Sequence, residues 1–254
     1  MTIDSPKTSH VPALRRLMKS AFQESEEFLD RFFKVAYSPK RARAAFIGDE
    51  VVSALYWFDC EYAGLRTAYL YAIATDEAHR GRGIGSLIIL DTVKHLSSLG
   101  YSSVLLVPAS PSLFGFYEKL GFKKATEIKE FSAEASERNV SISEISAEAY
   151  AKERRKLLPQ NAVIEEGAIL SLVDGDLKFY TGEDFLLLAK QNGGERLVAA
   201  ELLGNTEAAP DILFSLGCKT GLFRTVGKGR DFAMYLPLLA EATPPTYFGI
   251  ALDI

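Results

Sequence analysis

Cysteine is nearly absent from this 254-residue chain: Cys60 and Cys218 are its only two, 158 positions apart in apolar, strand-like surroundings. No Cys-x-x-Cys redox pair and no Cys/His metal set can be assembled from them, so two small buried hydrophobes and no metal are expected. No run approaches the roughly 18 consecutive apolar residues of a membrane helix, and the opening residues lack a charged segment leading into an apolar one. No membrane association and a cytoplasmic location are the expectations. Basic runs are missing too, and the formal net charge is −4. That balance argues against neutralising many phosphates, and no nucleic-acid partner is expected. With 48% hydrophobic and 24% charged residues, the chain is neither disordered nor collagen-like nor a coiled coil.

The charge that is present divides unevenly. Residues 1–125 carry 16 Lys+Arg against 13 Asp+Glu, while residues 126–254 carry 13 against 20. The length accommodates two domains, and the expected division is 1–130 and 145–254, joined by the polar stretch 127–148, a connector with room for a solvent-facing strand. In the first half, apolar spacing predicts helices after Pro12 and over 26–37, then a hairpin of strands 44–47 and 51–59 and a third strand over 68–74. A helix is expected from Ile84 to the stop at Gly100, with Ile84, Ile88, Leu96 and Leu99 on one face. Strand 103–107, a short helix near 113–120 and a strand from Phe122 complete this half. In the second, a helix over 147–158 precedes predicted strands at 168–173, 177–181, 185–189 and 197–203, with a buried strand at 232–236 and a strand-like stretch at 247–252. Leu120-Gly121-Phe122-Lys123 is echoed by Leu216-Gly217-Cys218-Lys219 after a similar strand and helix, an offset of 96 residues. One such echo leaves duplication open.

The informative run is strand 70–75 followed, four residues later, by Arg80-Gly81-Arg82-Gly83-Ile84-Gly85-Ser86 and an apolar helix. Glycines let backbone N–H groups converge, the helix dipole adds about half a positive charge, and Arg80 and Arg82 supply charge-assisted hydrogen bonds. A pyrophosphate is the natural guest; a tight turn serving backbone geometry alone is the alternative. A dinucleotide fingerprint fails because Gly81-x-Gly83 leads to Ser86 and Gly83-x-Gly85 to Ile88. A Walker loop fails because Gly227-Lys228 is followed by Gly229.

Arg80, Gly83 and Gly85 fit [Arg/Gln]-x-x-Gly-x-[Gly/Ala], and Tyr117-Glu118-Lys119-Leu120-Gly121-Phe122 follows 32 residues beyond Gly85. In these two motifs the chain resembles the Gcn5-related N-acetyltransferase (GNAT) superfamily over residues 1–125. The resemblance implies an α/β fold, a mixed central sheet flanked by helices, with a smaller α+β C-terminal domain that is an open candidate for a degenerate copy. It implies that acetyl-CoA serves as co-substrate. The backbone of Ile73, Ala74 and Thr75 is then expected to bind the pantetheine arm, the amides of Arg80, Gly81, Arg82, Gly83, Ile84, Gly85 and Ser86 the pyrophosphate, and Tyr117 to act as acid toward the leaving thiolate. The acceptor implied is a small-molecule or peptide amine, and a homodimer is admitted.

An amine of pKa about 10.4 is neutral only about four times in ten thousand at pH 7, a deprotonation cost of roughly 4.6 kcal/mol. No base is carried over by the resemblance, since Ala68 stands where histone-type relatives have a catalytic glutamate. Asp59, Glu61, Tyr69 and Tyr71 are expected to be structural or solvated, and the C-terminal carboxylate of Ile254 is a further candidate by analogy with aminoglycoside-acetylating relatives. His95 reads as a core histidine, His79 as a loop residue near the turn, His10 as terminal. The missing base sustains a rival reading: a non-catalytic acyl-CoA-binding module used for regulation or assembly.

Overall fold

A computed structural model describes residues 1–240 and 242–250. The chain opens with β1 (Thr2–Asp4), α1 (Val11–Phe22), α2 (Glu26–Arg31), β2 (Ala42–Ile47), β3 (Glu50–Tyr62) and β4 (Leu65–Thr75). Next come α3 (Ile84–Ser98), β5 (Ser103–Leu106), α4 (Phe114–Glu118) and β6 (Lys123–Lys124). The second half runs β7 (Glu127–Glu134), β8 (Ile142–Ile145), α5 (Ala147–Leu157), α6 (Ala168–Val173), β9 (Lys178–Gly182) and β10 (Phe185–Asn192). It ends with β11 (Arg196–Gly204), α7 (Ala209–Ser215), β12 (Thr220–Asp231) and β13 (Met234–Pro237). Two compact units result: Met1–Lys123 with Met234–Thr243, and Lys124–Ala233 with the described residues of 244–250. Each is a mixed α/β unit with its own sheet. Among the described residues no helix is long and apolar enough to cross a membrane.

The first sheet is ordered β1-β2-β3-β4-β5-β13-β6 and the second β7-β12-β11-β10-β9-β8. From β1 to β13, and from β8 to β7, the pairings follow one pattern: three antiparallel steps, one parallel, one antiparallel. Two helices separate the first and second strands in both, α1 with α2 and α5 with α6, and one helix crosses over each parallel pair, α3 or α7. The two halves therefore share a topology, with β13 completing the first sheet although it follows β12 in the chain.

The Leu-Gly echo points to a different equivalence. α7 crosses between the parallel strands β11 and β12, so its counterpart is α3 rather than α4. Leu99-Gly100 and Leu216-Gly217 end these two helices, with Gly100 at φ 79° and Gly217 at φ 72°. In both, the residue after the glycine donates to a carbonyl five positions back, Tyr101 to Leu96 and Cys218 to Leu213. Phe122 does the same to Tyr117. The repeated dipeptide marks a shared helix-ending cap, in which glycine takes the left-handed conformation, and not one ancestral position.

α3 lies on one face of the first sheet, burying Ile84, Ile88, Ile89 and Leu96 against Leu55, Trp57, Ala68 and Leu70. Leu99, expected on that stripe, is instead 46% exposed at the helix end, and Ile89 and Thr92 fill the face. In the second unit, 168–173 is a helix rather than a strand. Its four apolar side chains, Ile169, Leu170, Leu172 and Val173, are buried, and a short apolar run fits either element until its surroundings decide. The stretch 127–148, expected to be a connector with room for a solvent-facing strand, supplies two strands, β7 and β8, to the second sheet. Residues 247–252 form no strand where described: Tyr247 makes a single bridge to Ala162, and Leu252 and Ile254 lie outside the described residues. Cys60 and Cys218 are both buried, and neither is in a disulfide.

A buried ionic cluster ties the second unit together. The Arg154 Nε and Nη2 donate to Glu201 at 2.6 and 2.8 Å, and its Nη1 stands 2.7 Å from Glu165. Tyr150 and Tyr247 donate their hydroxyls to the same Glu201, while Glu165 accepts the backbone N–H groups of Gly249 and Ile250. Burial pushes the Glu165 carboxyl up and Arg154 pulls it back. Helix α5, strand β11 and segments 163–167 and 247–250 are thus held by one guanidinium and two carboxylates. Removing one partner of such a buried set costs about 3–5 kcal/mol, because the remaining charge has no water to turn to. Glu201→Ala is expected to lose stability in that range, measured as a lower urea midpoint by far-UV circular dichroism; an unchanged midpoint would refute the cluster's structural role.

Candidate active site

β4 and β5 pair in parallel over only three residues, Thr67, Ala68 and Tyr69 with Ser103, Val104 and Leu105. Beyond Tyr69, β4 continues to Thr75 and, among the described residues, is paired with β3 alone. Within that stretch the β3–β4 register slips: Ala54 faces Ala74, but Tyr56 faces Tyr71. The extra residue of this bulge is accommodated at Ala72, whose φ of 49° is left-handed, a conformation that strains any residue with a Cβ. Ser53 on β3 donates its hydroxyl to the Ala74 carbonyl at 2.7 Å and lies 3.0 Å from the Thr75 hydroxyl. The strand end is fixed from that side.

The turn after β4 is built for convergence of amides. Asp76 donates its N–H to the Val52 carbonyl and accepts from the Ala78 N–H, turning the chain away from the sheet. The Arg80 Nε donates to the Thr75 carbonyl at 3.1 Å, so this guanidinium braces the turn against the strand it leaves. Gly81 and Gly83 take φ values of 75° and 77°, left-handed conformations that leave both positions to glycine. Gly83 is the N-cap of α3 and brings no capping side chain; the first turn contains no acidic residue. The first intrahelical bond runs from Leu87 N–H to the Gly83 carbonyl, so the amides of Ile84, Gly85 and Ser86 point out of the helix end. Gly85 is different from its neighbours. A Cβ there would sit 3.6 Å from the Thr75 hydroxyl, an ordinary contact, so the fold does not demand glycine at 85.

Tyr117 lies on α4 in the same core cluster as Ile84, Ile88 and Leu106. Its ring packs edge-on against Phe116 at 5.1 Å and Phe122 at 6.0 Å. Burial pushes the phenol up to about 12, so it keeps its proton throughout the physiological range. The parallel divergence of β4 and β5, the uncapped start of α3 and this phenol belong to one unit. Together they offer an extended backbone edge, an anion-binding helix end and a protonated donor.

A sequence profile described as an acetyltransferase (GNAT) domain matches residues 2–125. A mycothiol acetyltransferase from Mycobacteroides abscessus is 30% identical over 105 residues, covering 39% of this chain and 34% of that protein, so the chain matches about a third of that relative's length. Residues 2–125 are a GNAT acetyltransferase domain. A probable N-acyltransferase of unknown function from Enterococcus faecalis shares the fold with a TM-score of 0.73 at 15% identity, over 93% of this chain and 72% of that one. Eis1 from Mycobacterium abscessus does so with a TM-score of 0.67 at 13% identity, over 94% and 74%. These likenesses extend beyond the GNAT domain to the fold of the second unit.

Within the GNAT domain the other residues singled out by sequence are dispersed. Ala68 is fully buried on β4. Asp59 is engaged by Arg41 at 3.3 Å, Arg66 at 3.5 Å and the Tyr101 hydroxyl, lining a cavity of about 500 Å³ with Lys40 and His95. Glu61 is exposed. His79 stands 3.3 Å from Asp76, His95 packs against Trp57, and His10 accepts the Lys7 N–H. Ile254 lies outside the described residues. Sequence reasoning missed Ser53, the bulge at Ala72 and a ring cluster around Tyr71. Only the last had a signal, the density of aromatics in 28–37 and 56–71. The left-handed Ala72 carries a direct test. Ala72→Gly is expected to raise stability by about 1 kcal/mol and Ala72→Val to lower it by more than that, compared by thermal melting; equal midpoints for all three would contradict a strained bulge.

Proposed function

We propose that this chain transfers the acetyl group of acetyl-CoA to a primary amine on a small molecule or peptide. The observation that carries the reading is the parting of β4 from β5 beside an uncapped α3. A pantetheine arm carries two amides that need partners, and Ile73 at the unpaired edge of β4, with Ala74 and Thr75, presents peptide groups to them. A pyrophosphate needs converging N–H donors and positive charge. The amides of Ile84, Gly85 and Ser86, the turn from Arg80 to Gly83, and the exposed guanidinium of Arg82 supply both. The residues present therefore fit coenzyme A, which when bound supplies the activated thioester.

In the reaction a neutral amine nitrogen forms the new C–N bond at the acetyl carbon while the C–S bond breaks. One N–H proton is lost from nitrogen and one is gained by sulfur. With the Tyr117 phenol at about 12 and a thiol near 8.5, full proton transfer from phenol to thiolate would be uphill by about 5 kcal/mol. Tyr117 therefore acts chiefly as a hydrogen-bond donor that stabilises the developing thiolate, and solvent completes the exchange. The rival reading of a non-catalytic acyl-CoA binder is favoured by Ala68 and by the commitment of Asp59 to two arginines. A panel of amines decides between the two: acetyl-CoA binding without thioester consumption by any amine would establish the binder.

Two outcomes follow from the assigned roles. Tyr117→Phe is expected to lower kcat about 10- to 100-fold with acetyl-CoA affinity nearly unchanged, and unchanged kcat removes Tyr117 from the mechanism. Because burial raises this phenol, its loss of a proton should not limit the wild-type rate near pH 10, where an ordinary tyrosine titrates. A fall in kcat with a midpoint near 10 would contradict the assignment. Gly85→Ala should fold normally and bind coenzyme A at least tenfold more weakly, by calorimetry; full affinity would place the pyrophosphate elsewhere.

A further inference from the structure

The cavity of about 500 Å³ beside Asp59 is lined by residues of the first unit, at the end of its sheet away from the glycine turn. Asp59 stands six residues beyond Ser53 on β3, about 20 Å along the strand, and Ser53 is the residue that holds the end of β4. His95, also in the cavity wall, stands eleven residues beyond Ile84, about 16 Å from the start of α3. The turn from Arg80 to Gly83 and this cavity are therefore separate places on the domain.

Charge at the cavity is unbalanced. Lys40, Arg41 and Arg66 line it against one carboxylate, Asp59, a local positive excess on a chain whose formal net charge is −4. Asp59 does not satisfy all three. Arg41 reaches it at 3.3 Å and Arg66 at 3.5 Å, each through one nitrogen, so neither guanidinium makes the two-pronged contact of a strong pair. Both keep N–H donors unspent. Arg66 is held at the wall by the Tyr101 ring, 4.2 Å away, and by its donation to the Tyr101 hydroxyl at 2.9 Å. Lys40 is exposed and has no ion-pair partner among the described residues.

Hydroxyls add to the donor set. Ser38 accepts the Lys40 N–H and retains its own proton to donate, and Ser5 lines the cavity as well. The last carbonyls of α3, which would repel an anion, are already occupied: those of His95, Leu96 and Ser97 accept the N–H groups of Leu99, Tyr101 and Gly100. Donors thus approach from the segment after β1, the segment before β2 and the start of β4. A phosphoryl group spreads three acceptor oxygens in space and uses donors on several sides, whereas a planar carboxylate engages one fork. The space exceeds what a phosphate ion needs, and Leu99, 46% exposed, gives it an apolar side.

We propose that this cavity binds a small phosphate monoester: Lys40, Arg41 and Arg66 take the dianionic phosphoryl group, and the organic part lies along Leu99. The site is distinct from the diphosphate turn and does not rest on the acetyl-transfer reading.

The test uses the full chain, with Trp57 as reporter. It is the only tryptophan, and it donates at 3.2 Å to the Tyr101 hydroxyl, which in turn bonds Arg66 and Asp59. Inorganic phosphate, titrated at constant ionic strength, is expected to change Trp57 emission saturably, and glycerol 3-phosphate to do so at lower concentration. Lys40→Ala should raise the phosphate midpoint about tenfold, through loss of one charge-assisted hydrogen bond, with the melting temperature in phosphate-free buffer unchanged. Asp59→Asn, which removes the competing carboxylate, should lower the midpoint; a purely structural ion-pair network would show neither shift. Arg82→Ala, at the other end of α3, should titrate as the wild type does. The proposal is overturned by the absence of a saturable response, by an unchanged midpoint in Lys40→Ala, or by succinate acting as well as phosphate. It is overturned equally if glycerol 3-phosphate gains nothing over phosphate, or if Arg82→Ala abolishes the response, which would move the signal to the start of α3.

Discussion

Backbone polar groups must find partners, and in this fold that requirement becomes acute where two parallel strands separate. β4 and β5 stay together through Tyr69 and Leu105 and then part. In the second sheet, β11 and β12 pair in the same parallel sense through Ala199 and Phe223 before their pairing also stops. There the space is spanned by the protein itself. Thr225 on β12 donates its hydroxyl to the Leu202 carbonyl, and Glu201, two residues past the last pair, is saturated by Arg154, Tyr150 and Tyr247. The equivalent position on β4, two residues past Tyr69, is Tyr71. It belongs to a ring cluster, and the edge beyond it is left to whatever supplies amides. One topology therefore gives two outcomes, decided by whether the side chains at the parting satisfy each other.

The crossover helices diverge in the same way. α3 begins with Gly83 as its cap, no acidic residue in its first turn, and Arg80 and Arg82 just ahead of it. α7 is preceded by Glu207 and carries Asp211 in its first turn, which would repel an anion and already complements the helix dipole. Asn205 caps the intervening turn through its side chain. The more acidic character of residues 126–254 is thus partly a local fact about this one helix end. A unit with its helix start neutralised and its strand gap filled has the shared topology but, among the described residues, presents no free donors at that helix end.

What could be read from residues alone was local. The turn from Arg80 to Ser86 signals itself because left-handed positions call for glycine, and the helix it opens carries its own stop at Gly100. Tyr117 could be placed because its neighbours form a motif of fixed spacing. The failures were nonlocal or ambiguous. Ala168–Val173 is apolar throughout, which a strand and a buried helix satisfy equally. Thr220–Asp231 carries no clear strand signal, since Gly227 and Gly229 imitate a loop; both fall at or beside the irregularity between Thr225 and Arg230 where β12 departs from regular pairing with β7. The exchange that sends β13 to the first sheet leaves no mark in residue type. Nor does Ala72, whose left-handed backbone is imposed by the register slip between β3 and β4.

The chemistry inferred for the first unit has an asymmetry that its residues explain. Donors for the leaving group and the diphosphate are preorganised, while no carboxylate stands ready for the amine: Ala68 is buried and small, and Asp59 is held by Arg41 and Arg66. A base is needed only to the extent that the ammonium resists losing its proton. Withdrawing that ion from water weakens its hold on the proton, since desolvation disfavours the charged form.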